Sequence, residues 1–380
     1  MADQKSIQSF KMIKLEDFLE LQLKAYKLIG LNIIPIKITS QRTKVIEKLM
    51  KLYLFTCFIG MWLIVIQFGI RLIIDIDNLH VVVRVLPHIT VFPYNFSKGI
   101  LFFTKRKEIL DVLEKLKKLF PKTQIDQEKC NLQSLLKQFL IFHKIYIGFA
   151  LATVSCAIIG MLYQLIFNNV MKQAVEIWFP FDDTANNFNL IISMLWLIWT
   201  VSVSLVNVIS ADFYLFAIVL ILSTEFSIFG EDIKNTINDG QTINLRNLFI
   251  RHQKLIEITD DIKSVFSFTF FFIQGAIAIS SCGFQLLTTS SVEDLLFSVI
   301  YAVYSICQVY LYSFYGQKLI TASHDVGKNI LNSNWYELND NKEKKLILFL
   351  IMRTQKPCML SGFGSVSLSA ETFSSVSFVI

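Results

Sequence analysis

Tyr301 and Tyr304 are the residues of this 380-residue chain best placed to meet a small ligand. Spacing of i, i+3 puts both hydroxyls on one helix face. They lie in a run, Leu295–Gly316, that carries no charge. The outer halves of the other apolar runs offer Phe92, Ser155, Ile159, Tyr163, Met194 and Ile198. Taken singly, each of these also reads as packing. Taken together, apolar and aromatic walls with a few hydroxyls are the usual lining of a small-molecule pocket. The implied chemistry is recognition by shape, with about 0.8 kcal/mol gained per buried CH₂.

Reactive constellations are missing. Ser323-His324-Asp325 holds triad residue types, but neighbours in sequence do not point at one another, and a triad is a matter of geometry. Gly362-Phe363-Gly364 lacks the third glycine and preceding strand of a dinucleotide loop. The cysteines, Cys57, Cys130, Cys156, Cys282, Cys307 and Cys358, form no CxxC pair and no Cys/His cluster, so neither a metal site nor a disulfide framework is expected. No cofactor and no nucleic-acid partner is implied. A proton-coupled transporter would carry buried carboxylates, and the first, third, fifth and sixth apolar runs contain no Asp or Glu. Arg84 and Asp212 lie near run ends and read as snorkelling charges, as does Lys98. His88 is deeper and reads first as a partner between helices. Asn95-Phe96-Ser97 fits a glycosylation sequon but falls inside a run, where it is not expected to be modified.

The elements that must position these residues are membrane spans. Apolar residues make up 53% of the chain and charged ones 17%, against about 25% charged in soluble domains. The runs are long and do not alternate with period two, so they are helices rather than barrel strands. An all-α membrane protein with seven spans is predicted: Leu49–Ile70, Val81–Phe103, Phe139–Phe167, Phe188–Leu222, Ser264–Leu287, Leu295–Gly316 and a seventh from Phe363 to Ile380. Pro87 and Pro93 are expected to kink the second.

Charge sets the orientation. Segments 1–48, 104–138, 215–264 and 317–356 together hold thirty of the 36 Lys and Arg residues, whereas the opposite side holds Arg71, Arg84 and Lys172. The positive-inside rule then places the N-terminus in the cytoplasm and the C-terminus outside, opposite to a G-protein-coupled receptor. Two cytoplasmic segments carry helical stripes: Ile109, Val112, Leu113, Leu116, Leu119 and Phe120, then Leu245, Leu248, His252, Leu255, Ile262 and Phe266. Such stripes can lie on a membrane surface as amphipathic helices, but both join spans directly, so the reading preferred is that the spans extend into a cytoplasmic helical bundle, with residues 317–362 as a cytoplasmic anchor region and the chain 1–380 as one unit.

Residues 322–373 carry a more specific pattern. Asn334-Trp335-Tyr336 precedes a basic cluster at Lys342–Lys345. Met352, Arg353, Gln355 and Pro357 follow as Met-x-Arg-x-Gln-x-Pro, and Gly362 leads to Leu368-Ser369-Ala370-Glu371-Thr372-Phe373. This resembles the C-terminal signature of insect odorant receptors. Leu28-Ile29-Gly30-Leu31 with Pro35, and Trp178-Phe179-Pro180-Phe181-Asp182, resemble two further regions of that family. The resemblance implies a ligand-gated, non-selective cation channel in the plasma membrane of olfactory neuron dendrites. It implies a heterotetramer with a shared co-receptor, and a small volatile odorant bound in the outer half of the bundle. It also implies subunit contacts at Trp335, Tyr336, Arg353, Gln355 and Pro357, and a pore helix carrying Leu368, Thr372, Phe373 and Val376. In the family the seventh span continues well past the Glu-Thr-Phe element. Here Phe363–Ile380 is 18 residues, about 27 Å of helix, so either the span is truncated, with its gate residues beyond Ile380, or this subunit supplies an incomplete pore wall. Gustatory receptors share the architecture, but their usual Thr-Tyr-(x)5-Gln-Phe ending is absent.

Overall fold

Every residue from Ser210 to Phe226 is buried, and the helix that carries them is the axis of the molecule. In the computed structural model, described for residues 12–33, 41–167, 177–182, 186–240, 245–287, 292–362 and 366–377, eleven α-helices follow in chain order. These are α1 (Leu15–Leu28), α2 (Gln41–Ile74), α3 (Leu79–Thr104), α4 (Arg106–Leu119), α5 (Gln124–Lys129) and α6 (Leu132–Phe167). They continue as α7 (Asn187–Asn238), α8 (Leu245–Leu287), α9 (Val292–Leu331), α10 (Asn341–Thr354) and α11 (Ala370–Ser377). A helix that is apolar all round belongs in a core, and α7, with α1, α3, α8 and α9 packed on it, fits that rule.

The predicted spans fall in α2, α3, α6, α7, α8, α9 and α11. Among the described residues, Lys44–Ile74, Leu132–Ala152 and Phe188–Asn238 are each long and apolar enough to cross a membrane. α7, α8 and α9 have 52, 43 and 40 residues, about 78, 64 and 60 Å at 1.5 Å per residue. Each is about twice the ~30 Å hydrocarbon thickness. The surplus forms a bundle at the end of the molecule that holds most of the lysines and arginines. α3 runs through Pro87 and Pro93 as one helix.

The predicted stripe of residues 105–120 is α4. Its buried residues are Ile109, Val112 and Leu116, and its Lys115 is held by Asp261 at 2.8 Å, Glu257 at 3.1 Å and Asp111 at 3.1 Å. α1 buries Leu15, Phe18, Leu19 and Tyr26 against α7. It stops at Gly30, whose φ is +82° and where a Cβ would lie 2.4 Å from the Met50 carbonyl oxygen. Only glycine fits that left-handed, crowded position.

The seventh segment departs from expectation. Helix begins at Ala370 rather than Phe363. Before it, Ser361–Gly362 pairs antiparallel with Val366–Ser367, and Leu368 donates its N–H to the Leu360 carbonyl at 2.8 Å. The described part of α11 is 8 residues.

Candidate functional site

Lys98 and Asp212 form an ion pair in the interior, with side chains 1% and 0% exposed. This overturns the snorkelling reading of both. α7 does not end where its apolar run ends. It continues into the basic bundle, so Asp212 lies mid-helix with neighbours on every side.

The pair is the centre of a polar layer. The Asp212 carboxylate accepts from the Lys98 ammonium, from the Tyr312 hydroxyl at 2.5 Å and from Gln308 Nε2 at 2.8 Å. Lys98 also sits 4.1 Å from the centroid of the Tyr94 ring, a cation–π contact. An unpaired charge here would be very costly, and three charge-assisted bonds on one carboxylate offset that cost. Toward the other end of the bundle, Asn95 Nδ2 donates to Ser204 Oγ at 2.8 Å, and Asn207 Nδ2 donates to the Asn95 carbonyl. Asn95, the sequon residue, is therefore buried and bonded.

Tyr304 is buried, and its hydroxyl accepts from Tyr146 at 3.0 Å with ring centroids 4.9 Å apart. Tyr304, Gln308 and Tyr312 succeed one another at i, i+4 and i+8 on a single face of α9. The i, i+3 reading had singled out the first of them, as a ligand residue. Its extension to Gln308 and Tyr312, and the partner Tyr146 on α6, were missed. The available signal was Asp212, the one carboxylate in the run Phe188–Leu222.

The other predicted ligand residues are placed as follows. Phe92 is buried beside Phe68 at 5.6 Å, within a second apolar cluster of Ile64, Phe68, Val81, Val85 and Ile177. His88 stacks on Phe68 at 5.2 Å. Met194 and Ile198 are half-buried, one turn apart on α7. Ser155 and Ile159 are exposed on α6. The side chains of Tyr163, Tyr301 and Arg84 lie outside the described residues. Among the described residues no group of three or more His, Cys, Asp or Glu could hold a metal ion.

α9 also carries the segment expected from the sequence to start a pore helix. A Cβ on Gly316 would lie 2.2 Å from the Leu368 carbonyl oxygen, so this glycine lets the two backbones touch. Gln317 Oε1 accepts from the Ala370 N–H at 3.2 Å, the Tyr310 and Phe373 rings meet edge-on at 5.7 Å, and Ser323 Oγ accepts from the Cys358 N–H at 2.9 Å. Leu368 is buried, the Thr372 hydroxyl donates to the Ser367 carbonyl at 2.7 Å, and the Val376 side chain lies outside the described residues.

The predicted subunit-contact residues lie at the basic end. Trp335 is half-buried against the core, whereas Tyr336, Arg353 and Gln355 are exposed and Pro357 is half-buried. α10 exposes Leu346, Leu348, Phe349 and Met352 beside them. Behind this face Arg251 bridges Glu225 at 3.2 Å and Asp232 at 2.7 Å. Burial pushes the Glu225 carboxyl up to about 7, against the pull of Arg251. Burial holds the His252 imidazole down near 4.

The family model described as 7tm Odorant receptor matches residues 78–378. This chain belongs to the odorant receptor family. Among its curated relatives, odorant receptor 67c of Drosophila melanogaster is 26% identical over 87% of this chain and 84% of its own length. Odorant receptor 85f of the same fly is 24% identical over 94% and 93%. Two structures of the insect olfactory receptor OR5 from Machilis hrabei share the fold. The first has a TM-score of 0.72 at 16% identity, with 96% of this chain and 97% of that one covered. The second, in complex with eugenol, has a TM-score of 0.78 at 15% identity, with 96% of each covered. This odorant receptor is thus a seven-span membrane protein and a receptor rather than an enzyme.

Proposed function

We propose that this receptor binds a small volatile molecule in the outer half of its bundle and gates a non-selective cation pore together with a co-receptor subunit. The observation that carries the proposal is the course of α9. One unbroken helix holds Tyr304, grips the Lys98–Asp212 pair through Gln308 and Tyr312, and touches the pore-helix segment at Gly316 and Gln317. Tyr304 and Gly316 are separated by about 18 Å of helix. A rigid-body movement of α9 would carry both ends together, whatever the side chain at either.

The ligand site in this reading lies between the two apolar clusters, with Phe92, Met194 and Ile198 on one side and Tyr304 and Tyr146 as the polar floor. Tyr163 and Tyr301 remain proposed members. The eugenol held by the Machilis receptor makes a small aromatic volatile the first class to test. A ligand opens the channel only by binding the open state better than the closed one. The lysine distribution supports a cytoplasmic N-terminus and basic end, and membership of the odorant receptor family supports the plasma membrane of a sensory dendrite as the proposed site of action. The exposed face of α10 with Tyr336, Arg353 and Gln355 is proposed to meet the co-receptor in a heterotetramer.

The test is co-expression with an odorant co-receptor and current recording against a panel of volatiles. An odorant-evoked cation current with a dose response displaced by Tyr304→Ala is expected. No current to any volatile, with surface expression confirmed, would overturn the proposal.

A further inference from the structure

We propose a second ligand site: the groove between α7, α9 and α11 at the basic end holds the headgroup of an anionic phospholipid. The inference is separate from the odorant reading and takes only the membrane orientation from it. The groove is a cavity of about 540 Å³, within the ~300–1,000 Å³ range of sites that hold a drug-sized ligand. It has two ends of different chemistry. Tyr310, Phe314 and Phe373 line one, Lys318 and Thr321 the other.

Eight residues of helix separate Tyr310 from Lys318, about 12 Å along the axis. Lys318 follows directly on the uncharged run that ends at Gly316. The aromatic end then lies among acyl chains and the ammonium at headgroup depth, since the interfacial layer adds roughly 5–8 Å to each side of the hydrocarbon.

Charge selects the occupant. Lys318 is half-buried and has no carboxylate partner among the described residues. The nearby carboxylate on the groove wall, Asp325, is already bonded by Lys328 at 2.7 Å. Thr321 Oγ1 accepts from Gln317 Nε2 at 3.4 Å, and its own O–H has no acceptor among the described residues. An ammonium and a free hydroxyl proton, one turn apart, face a cavity that opens toward acyl chains. A phosphate diester carrying a net negative charge satisfies both donors, and its methylenes cover Tyr310 and Phe373. A free anion would leave the aromatic end uncovered. Because Ala370 and Phe373 form one wall, the occupant also touches the start of the pore helix.

The experiment is native mass spectrometry of the purified full chain, equilibrated with phosphatidylcholine bilayers containing phosphatidylserine. Phosphatidylserine should be retained at least ~5-fold over its bulk share. Lys318→Gln should abolish that preference, and Thr321→Trp, an exposed position that fills the groove, should abolish retention itself. Excess inorganic phosphate should not displace the lipid. Equal retention of the two lipids, selectivity that survives either substitution, or displacement by phosphate would overturn the proposal. The readout needs neither odorant nor co-receptor, so its failure is distinct from failure of the channel reading.

Discussion

Removing the ammonium of Lys98 while keeping Asp212 is the sharpest perturbation the fold offers. Both side chains are essentially inaccessible. Breaking a buried pair by deleting one partner costs about 3–5 kcal/mol, because the other charge is left uncompensated. Asp212 keeps its bonds from Tyr312 and Gln308, and such bonds to a charged acceptor contribute about 1.5–3 kcal/mol each. Lys98→Met therefore belongs at the lower end, about 3 kcal/mol, more than a ~100-fold loss in the folded-to-unfolded ratio. Asp212→Asn should cost at least as much, since it leaves the buried Lys98 ammonium with no opposing charge in this pair. The double variant removes both charges and keeps a side chain that Tyr312 and Gln308 can still bond. It should return to within about 1 kcal/mol of the parent. Denaturant melts of the purified proteins in detergent measure all three, and the double-mutant cycle gives the coupling. Additive losses, with coupling near zero, would refute the reasoning outright.

Gly316→Ala forces a methyl against the Leu368 backbone. Overpacking of this kind costs about 1–3 kcal/mol, so maximal odorant-evoked current should fall about tenfold at unchanged surface biotinylation; a parental current would count against the α9 linkage. Glu225 contributes a pH dependence of defined sign. Its folded carboxyl titrates near 7, above the ordinary 4.5, so the folded chain holds a proton the unfolded chain has lost, and stability falls as pH rises from about 4.5 to about 7. His252, held near 4 from 6.5, acts in the opposite sense between those values. The difference between parent and Glu225→Gln melting temperatures is therefore the readout, and no pH trend in that difference would sink the assignment. An epitope tag at the N-terminus should be reachable only after permeabilisation; labelling of intact cells would reverse the proposed orientation.

Hydropathy located the helices because apolar length is a local property, and the apolar stripes of residues 105–120 and 245–266 marked where helices continue beyond the spans. The C-terminal pattern around Trp335 and Phe373 carried the family. The ion pair was not legible. Lys98 and Asp212 are 114 residues apart, and each sits near the end of an apolar run, where a charge ordinarily reaches for water. Burial depended on helices that run on past the run ends and pack there, which one-dimensional hydropathy does not encode. The start of α11 was misplaced for a related reason. Residues 363–369 are apolar and small enough to read as span, but Val366–Ser367 pairs with Ser361–Gly362, and Leu368 bonds back to Leu360, before helix begins at Ala370. Tyr304 was singled out from its own helix; its partner Tyr146 required knowing which helix lies opposite.

The arrangement along α9 separates two kinds of sequence freedom. Substitutions more than about 10 Å apart with no shared partners change stability independently. Tyr304 and Gly316 exceed that separation, with the Lys98–Asp212 clamp between them. The tyrosine end can therefore be rewritten for a new chemical repertoire while the glycine end stays fixed to its hairpin. On the proposed function, a lineage of such chains can diversify what it detects without renegotiating how it opens.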